Sequence, residues 1–122
     1  MSSIVWFEIP ADNVERAKKF YGGLFGWKIE KMPGPMDYWH IDTGGSDDSL
    51  DGGLMKRQSP QQQGITNYVS VPSVDEFVAK VQKLGGKVRM PKTAVPQMGY
   101  FAICQDTETN TFALWEMSES AK

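Results

Sequence analysis

The sequence has little of several features that mark particular classes of protein. It contains one cysteine, Cys104, so no internal disulfide can form and a reducing cytoplasm is the expected compartment. Its apolar stretches are too short to cross a bilayer, and its first residues lack a basic region followed by an apolar core. We therefore expect neither a membrane span nor a signal peptide.

The sequence also lacks an excess of charge of either sign. Thirteen Lys and Arg against fifteen Asp and Glu give a net charge of -2, and no run of like charges occurs. Nothing here favours binding to nucleic acid or to an anionic membrane. What remains is an ordinary composition, 40% hydrophobic and 23% charged over 122 residues. This predicts one globular domain, residues 1–122, with a hydrophobic core.

The chain aligns with itself at a spacing of about 60 residues. An alternating strand, residues 6–10, matches residues 67–72, and each is followed by a capping-box pattern. The pattern is Asp12 with Glu15 in the first copy and Ser73 with Glu76 in the second. Apolar residues then recur at helical spacing over 14–24 and 74–84, and each segment ends at glycine.

Three further strand segments complete each copy of the repeat. Residues 26–29 match 85–88, residues 36–41 match 98–103, and residues 52–55 match 112–115. The sequence therefore predicts an α+β fold of two β-α-β-β-β modules, 1–58 and 66–118, joined by a linker at 59–65. We expect the two modules to form a curved mixed sheet, with the helices on its convex side and a cleft on its concave side.

The order of these motifs resembles the vicinal oxygen chelate superfamily, which includes glyoxalases, bleomycin-resistance proteins and ring-cleaving dioxygenases. The resemblance covers essentially the whole chain. It is carried by the duplication itself and by the segments Trp6-Phe7-Glu8-Ile9-Pro10, Phe20-Tyr21 with Leu24-Phe25-Gly26-Trp27, Asp106-Thr107-Glu108-Thr109-Asn110 and Leu114-Trp115-Glu116. It implies a glyoxalase-like domain whose cleft takes a small molecule.

The resemblance also implies a divalent metal, held by the first and last strands of each module. Those four positions fall on Trp6, Gly53, Thr66 and Ala113. None of them supplies an imidazole or carboxylate, and a divalent ion needs three or four such donors. We therefore predict that the protein uses no metal and no other cofactor.

Alternation along the strands predicts which side chains face the cleft. The set assigned to the helix-facing core is Phe7, Ile9, Trp39, Ile41, Leu54, Phe101, Ile103 and Leu114. The set assigned to the cleft is Trp6, Glu8, Tyr38, His40, Met55, Thr66, Tyr68, Tyr100, Ala102, Cys104 and Trp115. From it we predict ligand contacts by Trp6, Tyr38, Met55, Tyr68, Tyr100 and Trp115, because small planar ligands favour aromatic sites.

Alternatives stay open for each of these groups. His40, the only histidine, suits acid or base chemistry, but it also fits a strand residue bonded to a neighbour. Glu8 is either its partner in catalysis or a structural carboxylate. Cys104 suits a small buried filler better than a nucleophile. The aromatic residues suit either a ligand or a partner subunit.

Three hypotheses for function follow. The first is a metal-independent protein that binds a small aromatic or apolar molecule, as bleomycin-resistance proteins or accessory subunits do. The second is a glyoxalase-type lyase, isomerase or hydrolase that uses Glu8 and His40. The third is an interaction module for a larger enzyme. A homodimer is expected under each, because similar two-module chains usually dimerise and exposed sheet edges favour pairing.

Overall fold

The computed structural model of the chain describes residues 2–45, 49–58 and 64–122. The described residues form eight strands and two helices. In chain order these are β1 (Ile4–Ala11), α1 (Val14–Phe25), β2 (Lys28–Lys31), β3 (Tyr38–Asp42), β4 (Gly52–Lys56), β5 (Thr66–Ser70), α2 (Val74–Lys83), β6 (Lys87–Val95), β7 (Gly99–Gln105) and β8 (Thr111–Met117). Neither helix is long and apolar enough to span a membrane.

The chain forms two compact units, one of Trp6–Ile65 and one of Thr66–Lys122 together with Met1–Val5. In the first unit the strands run in the order β2-β3-β4-β1, with β1 and β4 parallel and the other neighbours antiparallel. The second repeats this plan in the order β5-β8-β7-β6, with β5 and β8 parallel. The predicted α+β class and the two β-α-β-β-β modules are confirmed. Residues 59–63 of the predicted linker lie outside the described residues.

The two helices begin at different kinds of cap. The Ser73 side chain accepts a hydrogen bond from the Glu76 backbone N–H at 3.1 Å, as predicted for α2. In α1 the cap is Asn13, which accepts from the Arg16 N–H at 3.0 Å, so the predicted cap at Asp12 is wrong by one residue. Asn and Asp are nearly equivalent caps, so neighbouring residues of these types do not reveal which begins the helix.

The core of the first unit matches the prediction. Its buried members are Ile9, Ala11, Ile29, Ile41 and Leu54, with Phe7 and Trp39 packed against them beside residues of α1. The five predicted residues of β1, β3 and β4 therefore do face the helix. Trp6, Glu8, Tyr38 and His40, which alternate with them, project from the opposite face of the sheet.

The core of the second unit corrects part of the prediction. Its buried members are Val71, Val74, Ala102, Cys104 and Leu114, and Tyr100 packs against them with residues of α2. Leu114 was assigned correctly. On β7, however, the assignment is inverted: Tyr100, Ala102 and Cys104 face the helix, and Phe101 and Ile103 face the other way.

The hydrogen-bonded register explains the inversion. Gly53 lies opposite both Glu8 and His40, whereas the equivalent Ala113 lies opposite Tyr68 and Ile103. Ile103 therefore corresponds to His40, and Phe101 corresponds to Tyr38. The sequence alignment had matched Tyr38 with Tyr100, one residue away. A slip of one residue moves every side chain of a strand to the other face.

Candidate functional site

The face of the first unit that points away from its helix carries a compact group of aromatic and acidic side chains. Trp6 and Glu8 come from β1, and Tyr38 and His40 come from β3. The strand register places Glu30, His40, Gly53 and Glu8 side by side across all four strands. Residues in such a row share a face, so one glycine separates His40 from Glu8.

A chain of two hydrogen bonds links three of these side chains. The Trp6 indole N–H donates to the Tyr38 hydroxyl at 2.9 Å, and that hydroxyl donates to Glu8 Oε2 at 2.8 Å. All three residues are half-buried. The bonds orient the Trp6 ring and fix the Glu8 carboxylate as an acceptor. Glu8 therefore has a structural role here, while a part in catalysis stays a prediction.

Gly53 makes this chain of bonds possible. A Cβ built at Gly53 would overlap the hydroxyl and ring of Tyr38. The Tyr38 side chain thus crosses β4 at the one place in the row where there is no side chain, and reaches Glu8 on β1. The resemblance implies a metal-binding carboxylate at this position, and in this chain the Tyr38 side chain passes there.

His40 is held by a different partner. Its Nε2 lies 3.0 Å from Asp51 Oδ2, and its ring stacks on Trp6 with centroids 5.7 Å apart and planes 24° apart. Partial burial acts to raise the pKa of Asp51, but hydrogen bonds from the Thr43 backbone N–H and from His40 outweigh it and lower the pKa. Asp51 is therefore ionised at neutral pH and able to orient the imidazole.

Asp51 is the site residue that sequence reasoning missed. It lies just before β4, and no pattern in the sequence connects it with His40. Only the antiparallel register, in which Ile41 faces Gly52, brings it next to β3. His40 and Glu8, both predicted as catalytic, border Gly53 and are each bonded to a different partner.

The other predicted ligand residues have varied surroundings. Met55 lies opposite Tyr38 in the first unit. In the second unit, the Tyr68 ring lies 6.4 Å from the Phe101 ring, and Trp115 lies opposite Phe101. Tyr100 does not lie on the predicted face: it packs on the helix side, with the Lys92 ammonium 4.3 Å from its ring centroid.

Cys104 also lies on the helix side, completely buried in the core of the second unit. Burial raises the pKa of its thiol. Since the thiolate is the nucleophilic form, this environment disfavours reaction and agrees with the interpretation of Cys104 as a filler.

The residues at the superfamily's metal positions do not fit a divalent ion. The Trp6 indole has only an N–H donor, which is bonded to Tyr38. Gly53 and Ala113 have no ligating side chain, and Thr66 offers a hydroxyl. Within residues 2–45, 49–58 and 64–122, no three His, Cys, Asp or Glu side chains group together in a way that could hold a metal.

A shallow depression of about 310 Å³ opens elsewhere in the first unit. It is lined by Asp12, Asn13, Val14, Glu15, Asp37, Trp39 and Lys56. Trp39 belongs to the helix-side cluster, so this depression lies across the sheet from Trp6 and His40. It is open to solvent, and three of its polar members are already engaged, Asn13 in capping α1 and Asp12 and Asp37 in ion pairs.

The amino-acid sequence is similar to a known protein family and to individual proteins described as glyoxylases. Residues 3–44 match the sequence profile of a family described as bleomycin resistance protein-like N-terminal. A glyoxylase-like domain-containing protein from Didymella fabae is 32% identical over 112 residues, covering 88% of each chain. The Mycobacterium bovis protein CFP32, by name a candidate glyoxylase, is 29% identical over 121 residues, which cover 91% of this chain. The chain spans 44% of the length of CFP32.

The fold is similar to that of a solved member of the glyoxalase/bleomycin resistance protein/dioxygenase superfamily from Vibrio splendidus. The TM-score is 0.67 at 11% sequence identity, over 97% of this chain and 100% of that one. The duplicated module, the family profile and the Didymella relative agree with one another. The chain belongs to the vicinal oxygen chelate superfamily, the group of glyoxalases, bleomycin-resistance proteins and ring-cleaving dioxygenases.

Proposed function

We propose that the protein binds a small planar, aromatic or apolar molecule, without a metal, on the face of the first unit that carries Trp6, Tyr38 and His40. The observation that carries the proposal is the bonded and stacked arrangement of these rings. Tyr38 holds the Trp6 indole, and His40 stacks on it. The rings are ordered before any ligand arrives, which lowers the entropic cost of binding.

The exposure of the site supports the same function. Trp6, Tyr38 and His40 are each half-buried, so part of each residue is open to solvent. The Trp6 N–H is already used by Tyr38, which leaves the face of the indole as its contact surface. Flat apolar surface with a few fixed polar groups is the usual lining of a small-molecule site.

Independence from metal is supported by the chemistry at Trp6 and Gly53. In the first unit one of the superfamily's ligand positions carries an indole and the other carries no side chain. A carboxylate introduced at Gly53 would meet the Tyr38 ring. Trp6, which occupies one of these positions, is part of the aromatic face, and Gly53, which occupies the other, gives Tyr38 its space there.

Thermal-shift and NMR titration with a panel of planar aromatic compounds tests the proposal. We expect at least one compound to stabilise the protein, and dialysis against EDTA to leave its affinity unchanged. The variant Y38F, which removes the hydroxyl that joins Trp6 to Glu8, is expected to weaken binding about five- to tenfold, the loss of roughly 1 kcal/mol of hydrogen bonding. The variant Y21F makes the same chemical change on α1 and should leave the affinity unchanged.

Two results would overturn this proposal. One is a panel in which no compound stabilises the protein. The other is a stoichiometric divalent ion in the purified protein whose removal abolishes binding. Equal weakening by Y38F and Y21F would instead show that the aromatic face of the first unit is not the place of binding.

A second candidate function is a glyoxalase-type lyase or isomerase that uses His40 and Glu8. The hydrogen bond from His40 to an ionised Asp51 favours it, because a carboxylate that orients an imidazole is a common arrangement for a general base. A glyoxalase assay on the metal-free protein distinguishes the two. Turnover that H40Q abolishes would favour the enzyme, and absence of turnover would favour the binding protein.

A further inference from the structure

We infer that Asp51 is a positioning residue that holds His40 as the Nε2–H tautomer, so that Nδ1 accepts a hydrogen bond from the ligand. The inference rests on the proposed function and narrows its ligand class. The preferred ligand is a planar molecule that carries an N–H or O–H donor in the plane of its ring. Sequence reasoning assigned no role to Asp51.

The Asp51 carboxylate is fixed by several contacts. Its Oδ1 accepts from the Thr43 backbone N–H at 3.2 Å and lies 3.4 Å from the Thr43 hydroxyl. That hydroxyl donates to the Leu50 carbonyl at 2.8 Å, which ties together the two ends of the segment between β3 and β4. With Oδ1 engaged by Thr43, Oδ2 is directed at His40 Nε2.

The chemistry of the two groups then determines where the imidazole proton lies. An ionised carboxylate has no donor, so the hydrogen bond at 3.0 Å requires the hydrogen to be on Nε2. A neutral imidazole carries one N–H and one lone pair, which leaves Nδ1 as the acceptor. The His40 side chain is 40% exposed and stacks beside the Trp6 ring, so a ligand on this face can reach the imidazole.

The charged groups around His40 favour a donor on the ligand. Glu30 lies opposite it on β2, paired with Lys28 at 3.4 Å, and Glu8 lies across Gly53 on β1. Together with Asp51, which contacts the ring directly, these carboxylates lie on the same face of the sheet as His40, Trp6 and Tyr38. Such surroundings attract hydrogen-bond donors and oppose an anionic ligand.

The tautomer can be measured directly, because the protein has a single histidine. Imidazole ¹⁵N NMR at about pH 8.5, where an ordinary imidazole is neutral, should show the Nε2–H form in the free wild-type protein. In D51N, the amide oxygen should take the bond from the Thr43 N–H and turn its NH₂ group towards His40. The proton should then move to Nδ1.

The matched control is D42N. Asp42 lies two residues from His40 and accepts from the Gly44 N–H instead. D42N removes the same charge nearby without touching the hydrogen bond, and we expect the wild-type tautomer. A wild-type protein with the proton on Nδ1, or a D51N spectrum identical to that of the wild type, would overturn the inference.

A pair of probes tests the ligand class. Indole and 1-methylindole have nearly the same planar shape, but only indole carries an N–H donor. We expect indole to bind the wild-type protein about fivefold more tightly, the effect of one hydrogen bond, and D51N to lose this preference. Equal binding of both probes would overturn the inference and leave the proposed function standing. If neither probe binds, the inferred ligand class fails, while the proposed function is decided by the full panel of planar compounds.

Discussion

At the scale of single residues, Gly53 shows how a missing side chain can build a site. The resemblance implies a metal-binding carboxylate at this position, and the glycine found there leaves room for Tyr38 to reach Glu8 across β4. The two effects are linked, because any side chain at this position would displace the tyrosine. In the proposed site, the absence of a carboxylate and the assembly of the aromatic face therefore depend on the same residue.

The first prediction concerns this coupling. G53A should push Tyr38 out of its position, break its bonds with Trp6 and Glu8, and lower the free energy of unfolding by roughly 1–3 kcal/mol. Urea denaturation measures the change. The control is G23A on α1, where an added Cβ meets nothing within 4 Å. Alanine there should stabilise the helix by about 0.5–1 kcal/mol. A G53A protein as stable as the wild type would contradict this account.

The second prediction concerns pH and Asp51. Its folded-state pKa is lower than its ordinary value, so the unfolded chain binds the proton more readily. The resulting stabilisation is complete above the unfolded pKa and is lost as the pH falls through the lower folded pKa. D51N should flatten the acid side of the stability curve, measured by urea denaturation at several pH values.

D42N is again the control for charge alone. The slope of its free energy of unfolding against pH should stay closer to the wild-type slope than the slope for D51N does. Because the Asp51 side chain is 36% exposed, solvent screens the interaction and the difference in slope should be modest. Parallel curves for D51N and the wild type would show that Asp51 is not held by Thr43 and His40 in solution.

At the scale of elements, the sequence predicted most of what the structure shows. Helical spacing and terminal glycines located α1 and α2, and Gly26 ends α1 with φ of 73° as expected. Strand alternation placed Trp6, Glu8, Tyr38 and His40 on one face. These features depend on the spacing of apolar residues along the chain, which can be recognised in a single sequence.

What the sequence did not contain was the pairing between strands. The match of Tyr38 with Tyr100 came from the similarity of the two residues. The strand register instead makes Tyr38 of the first unit equivalent to Phe101 of the second. Asp51 was missed for the same reason, since its nearness to His40 depends on which residues of β3 and β4 are opposite. Register is a tertiary property, and it decides both the faces of β7 and the members of the site.

The third prediction concerns the turn between β7 and β8. Thr109 has φ of 67°, a left-handed conformation that is strained for a β-branched residue. The surrounding bonds hold it there: Asp106 accepts from the Glu108 and Asn110 N–H groups, and the Asp106 N–H donates to the Asn110 carbonyl. T109G should relieve the strain and raise stability by about 0.5–1 kcal/mol.

T111G is the matched control. Thr111 begins β8 and pairs with Gln105, so glycine there adds chain entropy without relieving strain and should destabilise the protein. Urea denaturation of both variants checks the pair. Destabilisation by T109G of the same size as by T111G would show that the left-handed residue stores no strain.

At the scale of the whole molecule, membership of the superfamily does not determine activity, because one scaffold supports different chemistries when its site residues change. The proposed metal-free site keeps this scaffold and has Trp6, Gly53, Thr66 and Ala113 at the positions where the resemblance implies metal donors. The cytoplasmic location and the homodimer stay predictions, since they depend on surfaces and surroundings rather than on the fold.

The dimer prediction can be tied to a particular surface. Phe20, Leu24 and Phe25 on α1 are 61%, 60% and 58% exposed, and Phe20 and Phe25 join an aromatic cluster with Tyr21 and Trp27. Contiguous apolar surface of this kind usually marks a contact with another protein. We therefore expect the wild-type protein to sediment as a dimer, with this end of α1 in the interface.

The double variant F20S/L24S tests it by analytical ultracentrifugation. Each side chain contributes about 1.5–3 kcal/mol when buried, so the dissociation constant should rise at least tenfold. M117S is the control: Met117 is 80% exposed but lies in the second unit, apart from the cluster. A wild-type protein that stays monomeric at all concentrations contradicts the dimer. A dimer that F20S/L24S leaves unchanged places the interface elsewhere, because serine on an exposed helix face removes apolar contact without disturbing the core.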